Sequence, residues 1–316
     1  MKKFFPVSDL AIEAAEGLTL KADKSPGGVQ VIKEECILPD TCVTWVKITD
    51  DEGAKAMGKP AGNYITIESP YMKTNDKDAH RRLAGLLKKY LLKLNKFESA
   101  KYVLVAGLGN RRITADALGP NVSGGITVTS HILDSLPNDI RAVSAVSPGV
   151  MGITGIETKE LIRGIADRTH PDLIIAVDSL AARRADRVNA TIQLADTGVS
   201  PGAGVGNKRA GLDRETLGVP VIAIGVPTVV DAATLVNDTL DIMLEDIKTH
   251  DNAFFDTLKM LDSEEKYGLI RQILDPYTEN MIVTPKEVDE VIENLSYIIG
   301  TALNAALNPE LDLESL

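Results

Sequence analysis

The chain is poor in the residue types that most often announce chemistry. It has only two cysteines, Cys36 and Cys42, with no Cys-x-x-Cys spacing and no companion histidines. Neither a disulfide framework nor a zinc site is expected, and a reduced, intracellular protein is the simplest reading. The four histidines, at 80, 131, 170 and 250, stand apart and lack the His-x-x-x-His spacing with which a helix holds a metal. Aromatic residues make up 4% of the chain, so the core has to come from Ala, Val, Ile and Leu. No run of 18 apolar residues occurs, and the initial MKKFFP turns polar at once. No membrane span or signal peptide is expected, and the expected location is the cytoplasm. Positive charge is in deficit: 34 Lys and Arg stand against 45 Asp and Glu, a net charge of −11. That argues against direct nucleic-acid binding, which needs clustered basic residues to displace counterions.

What is present reads as an ordinary globular protein of 316 residues, 44% hydrophobic and 25% charged. Residues 1–16 read as a frayed terminus leading into a helix. Val29–Ile37 and Cys42–Ile48 read as a hairpin and Tyr64–Glu68 as a further strand, together a small antiparallel β subregion over residues 10–70. Asp76–Leu94 carries leucines at helical spacing. From there the pattern alternates. Strands are predicted over Tyr102–Ala106, Arg141–Val146, Leu173–Val177, Arg187–Leu194 and Val219–Ile224. Helices are predicted over Ile126–Leu133, Glu157–Asp167 and Asp231–Ile247. Continuous apolar strands between helices predict an α/β core over 76–250, a mostly parallel central sheet covered on both faces. The last part, 251–316, is expected to be helical, with helices over Ala253–Leu274 and Lys286–Leu307 and a capping box of Thr284 and Glu287.

Several motifs fit a chemistry only in part. Gly107-Leu108-Gly109-Asn110 after a strand opens like a dinucleotide fingerprint, but Arg112 stands where the third glycine belongs. Gly202 to Arg209, GAGVGNKR, resembles a phosphate loop without the glycine before Lys208 or the hydroxyl after it. Gly198-Val-Ser200-Pro-Gly202 matches a nucleophile elbow, yet the residue that must donate to the oxyanion hole is Pro201, which has no N–H. Asp196-Thr-Gly198 is a single D-T-G triplet where a pepsin-like chain needs two, and it reads as a strand-end turn. Two carboxylates remain. Asp116 and Asp178 are each expected just past the carboxyl end of an apolar strand, where open α/β sheets bind ligands. Two close carboxylates do not ionise together, so one keeps a proton and the other acts as base, which suits hydrolysis of an amide.

The longest runs carry a resemblance. GLGNRRITADALGP (107–120), SAVSPGVMGITGIET (144–158), the stretch from Asp172 to Arg209, LGVPVIAIGVPTVVDA (217–232) and VTPKEVDEVIENLSYIIGTALNAAL (283–307) resemble the bacterial spore germination proteases over nearly the whole chain. The resemblance implies an atypical aspartic-type endopeptidase with Asp116 and Asp178 as catalytic residues and no metal or other cofactor. It implies a three-layer α/β/α fold, phosphorylase/hydrolase-like and similar to the hydrogenase maturation endopeptidases. It also implies a self-processing zymogen, a homotetramer in the forespore or spore core, and small acid-soluble spore proteins as substrates. Such substrates are cut after the first Glu of Thr-Glu-Ile/Phe-Ala-Ser-Glu. Ser8-Asp9-Leu10-Ala11-Ile12-Glu13 resembles that pattern, so self-cleavage is expected between Asp9 and Leu10, with residues 1–9 as propeptide and 10–316 as a single peptidase domain. Arg111, Arg112, Arg183 and Lys208 are candidates for reading substrate acids. Two alternatives stay open: a metal-dependent maturation-type endopeptidase, and a non-proteolytic nucleotide- or ligand-binding α/β module built on the glycine turns.

Overall fold

In this computed structural model residues 8–21, 27–35, 38–94, 97–133, 140–200, 211–246, 268, 270 and 281–309 are described. In chain order the elements begin with helix α1 (Ala11–Lys21), strands β1 (Val29–Glu35) and β2 (Cys42–Ile48), helix α2 (Asp51–Met57), strand β3 (Gly62–Glu68) and helix α3 (Lys77–Lys93). The second group is β4 (Tyr102–Gly107), α4 (Leu118–Gly124), β5 (Ala142–Val146), α5 (Met151–Thr154), α6 (Thr158–Thr169) and β6 (Leu173–Ala182). The last is β7 (Thr191–Ala195), α7 (Arg214–Leu217), β8 (Val221–Asp231), α8 (Ala232–Asp246), β9 (Ile282–Val283) and α9 (Val288–Leu307).

Among the described residues the strands form one mixed sheet in the order β1-β2-β3-β7-β8-β6-β4-β5, with β9 added antiparallel to β8. Its centre, β5-β4-β6-β8, is parallel, and β1, β2, β3 and β7 flank it antiparallel. The predicted β subregion therefore exists as β1 to β3 and continues the core sheet, because β3 pairs with β7. Period-2 alternation sorts the central strands into two faces. Val103, Val105, Ile175, Ile222 and Ile224 pack with Leu83, Leu87 and Leu91 of α3 and Leu295, Ile299 and Leu303 of α9. Leu104, Ala106, Ile174, Ala176 and Val221 pack on the other face with Ile162 and Ala166 of α6 and Leu217 of α7. Each fully buried leucine or isoleucine contributes about 1.5–3 kcal/mol, so the two covered faces carry most of the stability.

The expected architecture holds, with local differences. Residues 126–133 are irregular, and the short helix comes earlier as α4. Gly124, Gly125 and the β-branched run after them leave little to sustain a helix there. β6 runs on past Val177 to Ala182, and β8 passes through Gly225 and Pro227 to Asp231. Pro227 is tolerated where the ladder between the two strands breaks register. The capping box at Thr284 does not form: Glu287 is the N-cap of α9 without a side-chain bond, and Thr284 donates to the Thr228 carbonyl at 2.9 Å. The helix predicted over 253–274 falls largely outside the described residues. Among the described residues no helix is long and apolar enough to cross a membrane.

Candidate active site

The chain leaves β4 for β5 on one side and later places β6 on its other side, so the gap between the carboxyl ends of β4 and β6 is a topological switch point. The glycines of the opening turn make that end tight. A side chain on Gly107 would meet the Gly119 carbonyl oxygen at 2.0 Å, and one on Gly119 would meet the Leu108 carbonyl oxygen at 2.2 Å. Gly119 of α4 thus supplies the close helix-to-turn approach for which the sequence offers Arg112 in place of a glycine. Leu108 N–H donates to the Val177 carbonyl at 2.8 Å, stitching the turn to β6 one residue before Asp178.

Asp116 ends a single 3-10 turn, Thr114–Asp116. Asn110 N–H donates to its carboxylate at 2.8 Å and to its carbonyl at 3.0 Å. Thr228 of β8 donates to the Ala115 carbonyl at 2.6 Å and fixes the turn from the opposite strand. Gly109, at φ +112°, lies directly beneath: a side chain there would come within 2.9 Å of an Asp116 carboxylate oxygen. Asp178 sits inside β6 and not beyond its end, because β6 outruns β4, whose last residue pairs with Val177. The residue is 4% exposed, and its side chain accepts from Ser179 N–H at 3.0 Å. Asp116 and Asp178 line one pocket of about 310 Å³, together with Gly109, Asn110, Thr228 and Asp9.

The presence of Asp9 in that pocket departs from the expected frayed terminus. Asp9 N–H donates to the Ala181 carbonyl at 3.1 Å, and its carboxylate accepts from Ala181 N–H at 2.9 Å. Its carbonyl oxygen accepts from Lys59 Nζ at 2.9 Å and from the Gln193 amide at 3.3 Å. Gln193 also accepts from Ala11 N–H at 2.6 Å. Leu10 and Ile12 are buried against Leu180, Ala182, Val188 and Val230. Glu13, 4% exposed, accepts from the backbone N–H groups of Arg183 and Arg184 at 2.8 and 2.9 Å and from the Ser8 hydroxyl. Arg187 completes the anchor. It forks onto Glu16 with two bonds of 2.7 Å, donates to Glu68 at 2.8 Å and lies 3.5 Å from Glu13. Burial opposes its charge, but the bonds to Glu16 and Glu68 outweigh that and push the guanidinium pKa up. For Lys59 burial wins and lowers the ammonium pKa, against the carboxylates of Asp9 and Glu13.

Of the residues singled out in the sequence, Asp116, Asp178 and Asp9 share the pocket. Arg183 contributes its backbone N–H to Glu13. Arg111 is exposed and donates to the Pro120 carbonyl at 2.8 Å, and Arg112 is exposed. Lys208 and the glycine loop around it lie outside the described residues. Asp196 of the D-T-G triplet is a structural clamp, accepting from Asn63 N–H at 2.8 Å and the Asn63 amide at 2.7 Å. His80 is buried and its ring bonds the Tyr71 and Thr74 carbonyls. Among the described residues no three His, Cys, Asp or Glu side chains gather so as to hold a metal ion. The sequence reading misses Lys59, Gln193 and Arg187. Nothing in Gly58-Lys59-Pro60 marks that lysine, and Arg187 differs from Arg183 and Arg184 only in what it meets after folding.

Asp9 is thus bonded to Ala181 of β6 and lines, just ahead of α1, the pocket that Asp116 and Asp178 share at the switch point. A family-wide profile described as germination protease matches residues 8–251 and 244–316. The chain belongs to the germination protease family. It is 46% identical to a germination protease of Caldanaerobacter subterraneus subsp. tengcongensis over 313 residues, 96% of this chain and 94% of that one. It is 46% identical to one from Clostridium acetobutylicum over 319 residues, 98% of this chain and 97% of that one. Identity to one from Bacillus cytotoxicus is 41% over 359 residues, 100% of this chain and 97% of that one. Among solved structures, the NiFe hydrogenase maturation protease HycI from Thermococcus kodakarensis KOD1 aligns at TM-score 0.28 and 20% identity, covering 45% of this chain and 80% of that one.

Proposed function

We propose that this spore germination endopeptidase is of the aspartic type, that Asp116 and Asp178 are its catalytic pair, and that it is a zymogen cutting its own chain between Asp9 and Leu10. The observation that carries the reading is the position of Asp9, which lines the pocket of the two aspartates while its carbonyl oxygen is gripped by Lys59 and Gln193. One carboxylate takes a proton from water as the water oxygen bonds to the Asp9 carbonyl carbon. The tetrahedral intermediate collapses, the C–N bond breaks, and the other carboxyl gives its proton to the Leu10 nitrogen. Residues 1–9 are then the propeptide, and the remainder is one peptidase domain.

The segment also supports a substrate class. Its two acids, Asp9 and Glu13, both end on backbone N–H groups of Ala181, Arg183 and Arg184. A substrate with an acid at the cut and another four residues on fits the same donors, as the resemblance implies for small acid-soluble spore proteins. Arg111, Arg112 and Lys208 are the proposed contacts for acids outside that pair. On the same resemblance the enzyme works as a homotetramer in the spore core. The test is to incubate the full chain at mildly acidic pH and follow its mass. A product beginning at Leu10 supports the reading. Asp116→Asn and Asp178→Asn should each slow its appearance by about 10²–10⁴-fold. Full-rate cutting in either variant rejects that aspartate.

A further inference from the structure

Asp9 stands between two pockets. The first holds the aspartates; the second, about 250 Å³, is lined by Lys59, Tyr64, Gln193 and Asp213 among others. Two residues of the second pocket, Lys59 and Gln193, donate to the carbonyl oxygen of Asp9. We propose that Lys59 is a further catalytic residue of this peptidase, the electrophile that polarises the scissile carbonyl and stabilises the oxyanion formed on it. The inference rests on the reading that Asp9–Leu10 is cut.

The local fold aims the ammonium. α2 ends at Gly58, in the left-handed region at φ +61°, and the N–H groups of Gly58 and Lys59 both return to the Ala54 carbonyl. The next residue, Pro60, fixes the exit, and its carbonyl accepts from the Tyr64 hydroxyl at 2.8 Å. Lys59 is thereby held at the end of a rigid turn, and its side chain runs inward to the Asp9 carbonyl instead of outward to water. A lysine that only filled surface would keep its ammonium solvated.

The chemistry needs a donor at this atom. When water adds to the carbonyl carbon, the π electrons of the C=O bond move onto oxygen, which becomes negative. When the intermediate collapses they return, and the C–N bond electrons leave with nitrogen. A cation 2.9 Å from that oxygen gains interaction in the transition state over the ground state. Gln193 donates to the same oxygen but also accepts from Ala11 N–H, so it holds the uncut segment as well. The two aspartates then handle protons, and Lys59 handles charge.

The test uses the full chain, following loss of residues 1–9 by intact mass and docking of residues 11–16 by hydrogen exchange. Lys59→Met should slow the cut by about 10²–10³-fold while residues 11–16 stay protected. Lys59→Gln, neutral but still a donor, serves as the second variant should Lys59→Met fail to fold; it should be slowed at least tenfold. Lys59→Arg, which keeps the cation, should recover part of the rate. A Lys59→Met or Lys59→Gln rate within threefold of the original overturns the inference. So does a slower cut accompanied by loss of protection over 11–16, which would make Lys59 an anchor only. Absence of any Asp9–Leu10 cut in the unmodified chain overturns both this inference and the reading beneath it. Full-rate cutting by Asp178→Asn, with the Lys59 dependence intact, would remove the aspartate pair and leave Lys59 standing.

Discussion

The carboxylate of Asp116 occupies space that any side chain on Gly109 would need. The backbone of Gly109 lies at φ +112°, and an added methyl would meet the Asp116 carbonyl oxygen at 2.2 Å and its carboxylate at 2.9 Å. Gly109→Ala should therefore displace the Asp116 turn, with about 1–2 kcal/mol of backbone strain as well. The expected outcome is a lowered melting temperature and loss of the Asp9–Leu10 cut. A variant that cuts normally would mean that Asp116 does not need this position.

Arg187 joins three carboxylates from two distant parts of the chain, and its side chain is 6% exposed. Arg187→Met removes the guanidinium that lies 3.5 Å from the buried Glu13, a loss of about 3–5 kcal/mol when one partner of a buried pair is removed. Hydrogen exchange over α1 should rise steeply in this variant, and the cut should slow because the segment no longer docks. Unchanged protection of α1 would contradict the anchoring role.

Acid should loosen the same anchor. Burial works to raise the Glu16 pKa, but the hydrogen bond and charge of Arg187 outweigh it and hold the carboxyl below its ordinary value. A lowered folded-state pKa means that ionised Glu16 favours docking. That contribution is complete above the ordinary glutamate range and is lost as pH falls through the depressed value. Exchange protection of α1 should stay level from neutral pH down to the carboxylate range and fall below it. Glu16→Gln should flatten that acid limb; a limb of unchanged depth would assign the effect to another group.

Asp196→Asn separates the two aspartate motifs of the sequence. Asp196 accepts two hydrogen bonds from Asn63, joining β3 to the end of β7. The substitution should cost stability, about 1 kcal/mol per weakened bond, and leave the rate of the Asp9–Leu10 cut unchanged in the folded fraction. A loss of rate without loss of stability would return the D-T-G triplet to the active site.

Strand periodicity made the central sheet legible, since Leu173 to Val177 and Val221 to Ile224 are apolar on both faces and had to be covered twice. Asp116 and Asp178 were legible by their distance from those runs. The ends of β6 and β8 were not, because Gly225 and Pro227 are breakers only when neighbours offer them no room. In this sheet β6 shifts register beside Pro227 and the strand continues. The role of Gly119 was hidden for a related reason: the glycine the turn requires arrives from α4, ten residues on from Gly109. Lys59 follows the end of α2 and Gln193 lies within β7, 134 residues apart by their numbering, and only the fold brings them to one carbonyl oxygen. No spacing rule connects such residues.

The anchoring of Glu13 and Glu16 bears on how the proposed zymogen would switch on. Both lie on the C-terminal side of the Asp9–Leu10 bond, as do the buried Leu10, Ala11 and Ile12. The proposed cut would free residues 1–9 and leave the other half tethered against β6 by the bonds of Glu13 and Glu16. A tethered ligand competes at an effective concentration in the millimolar range, set by its linker and not by its abundance. On the proposed reading, proteolysis and activation would then be separable events. The first would be an irreversible covalent step; the second would be a reversible exchange in which an incoming acidic peptide displaces the new N-terminus from Gln193, Arg183, Arg184 and Arg187.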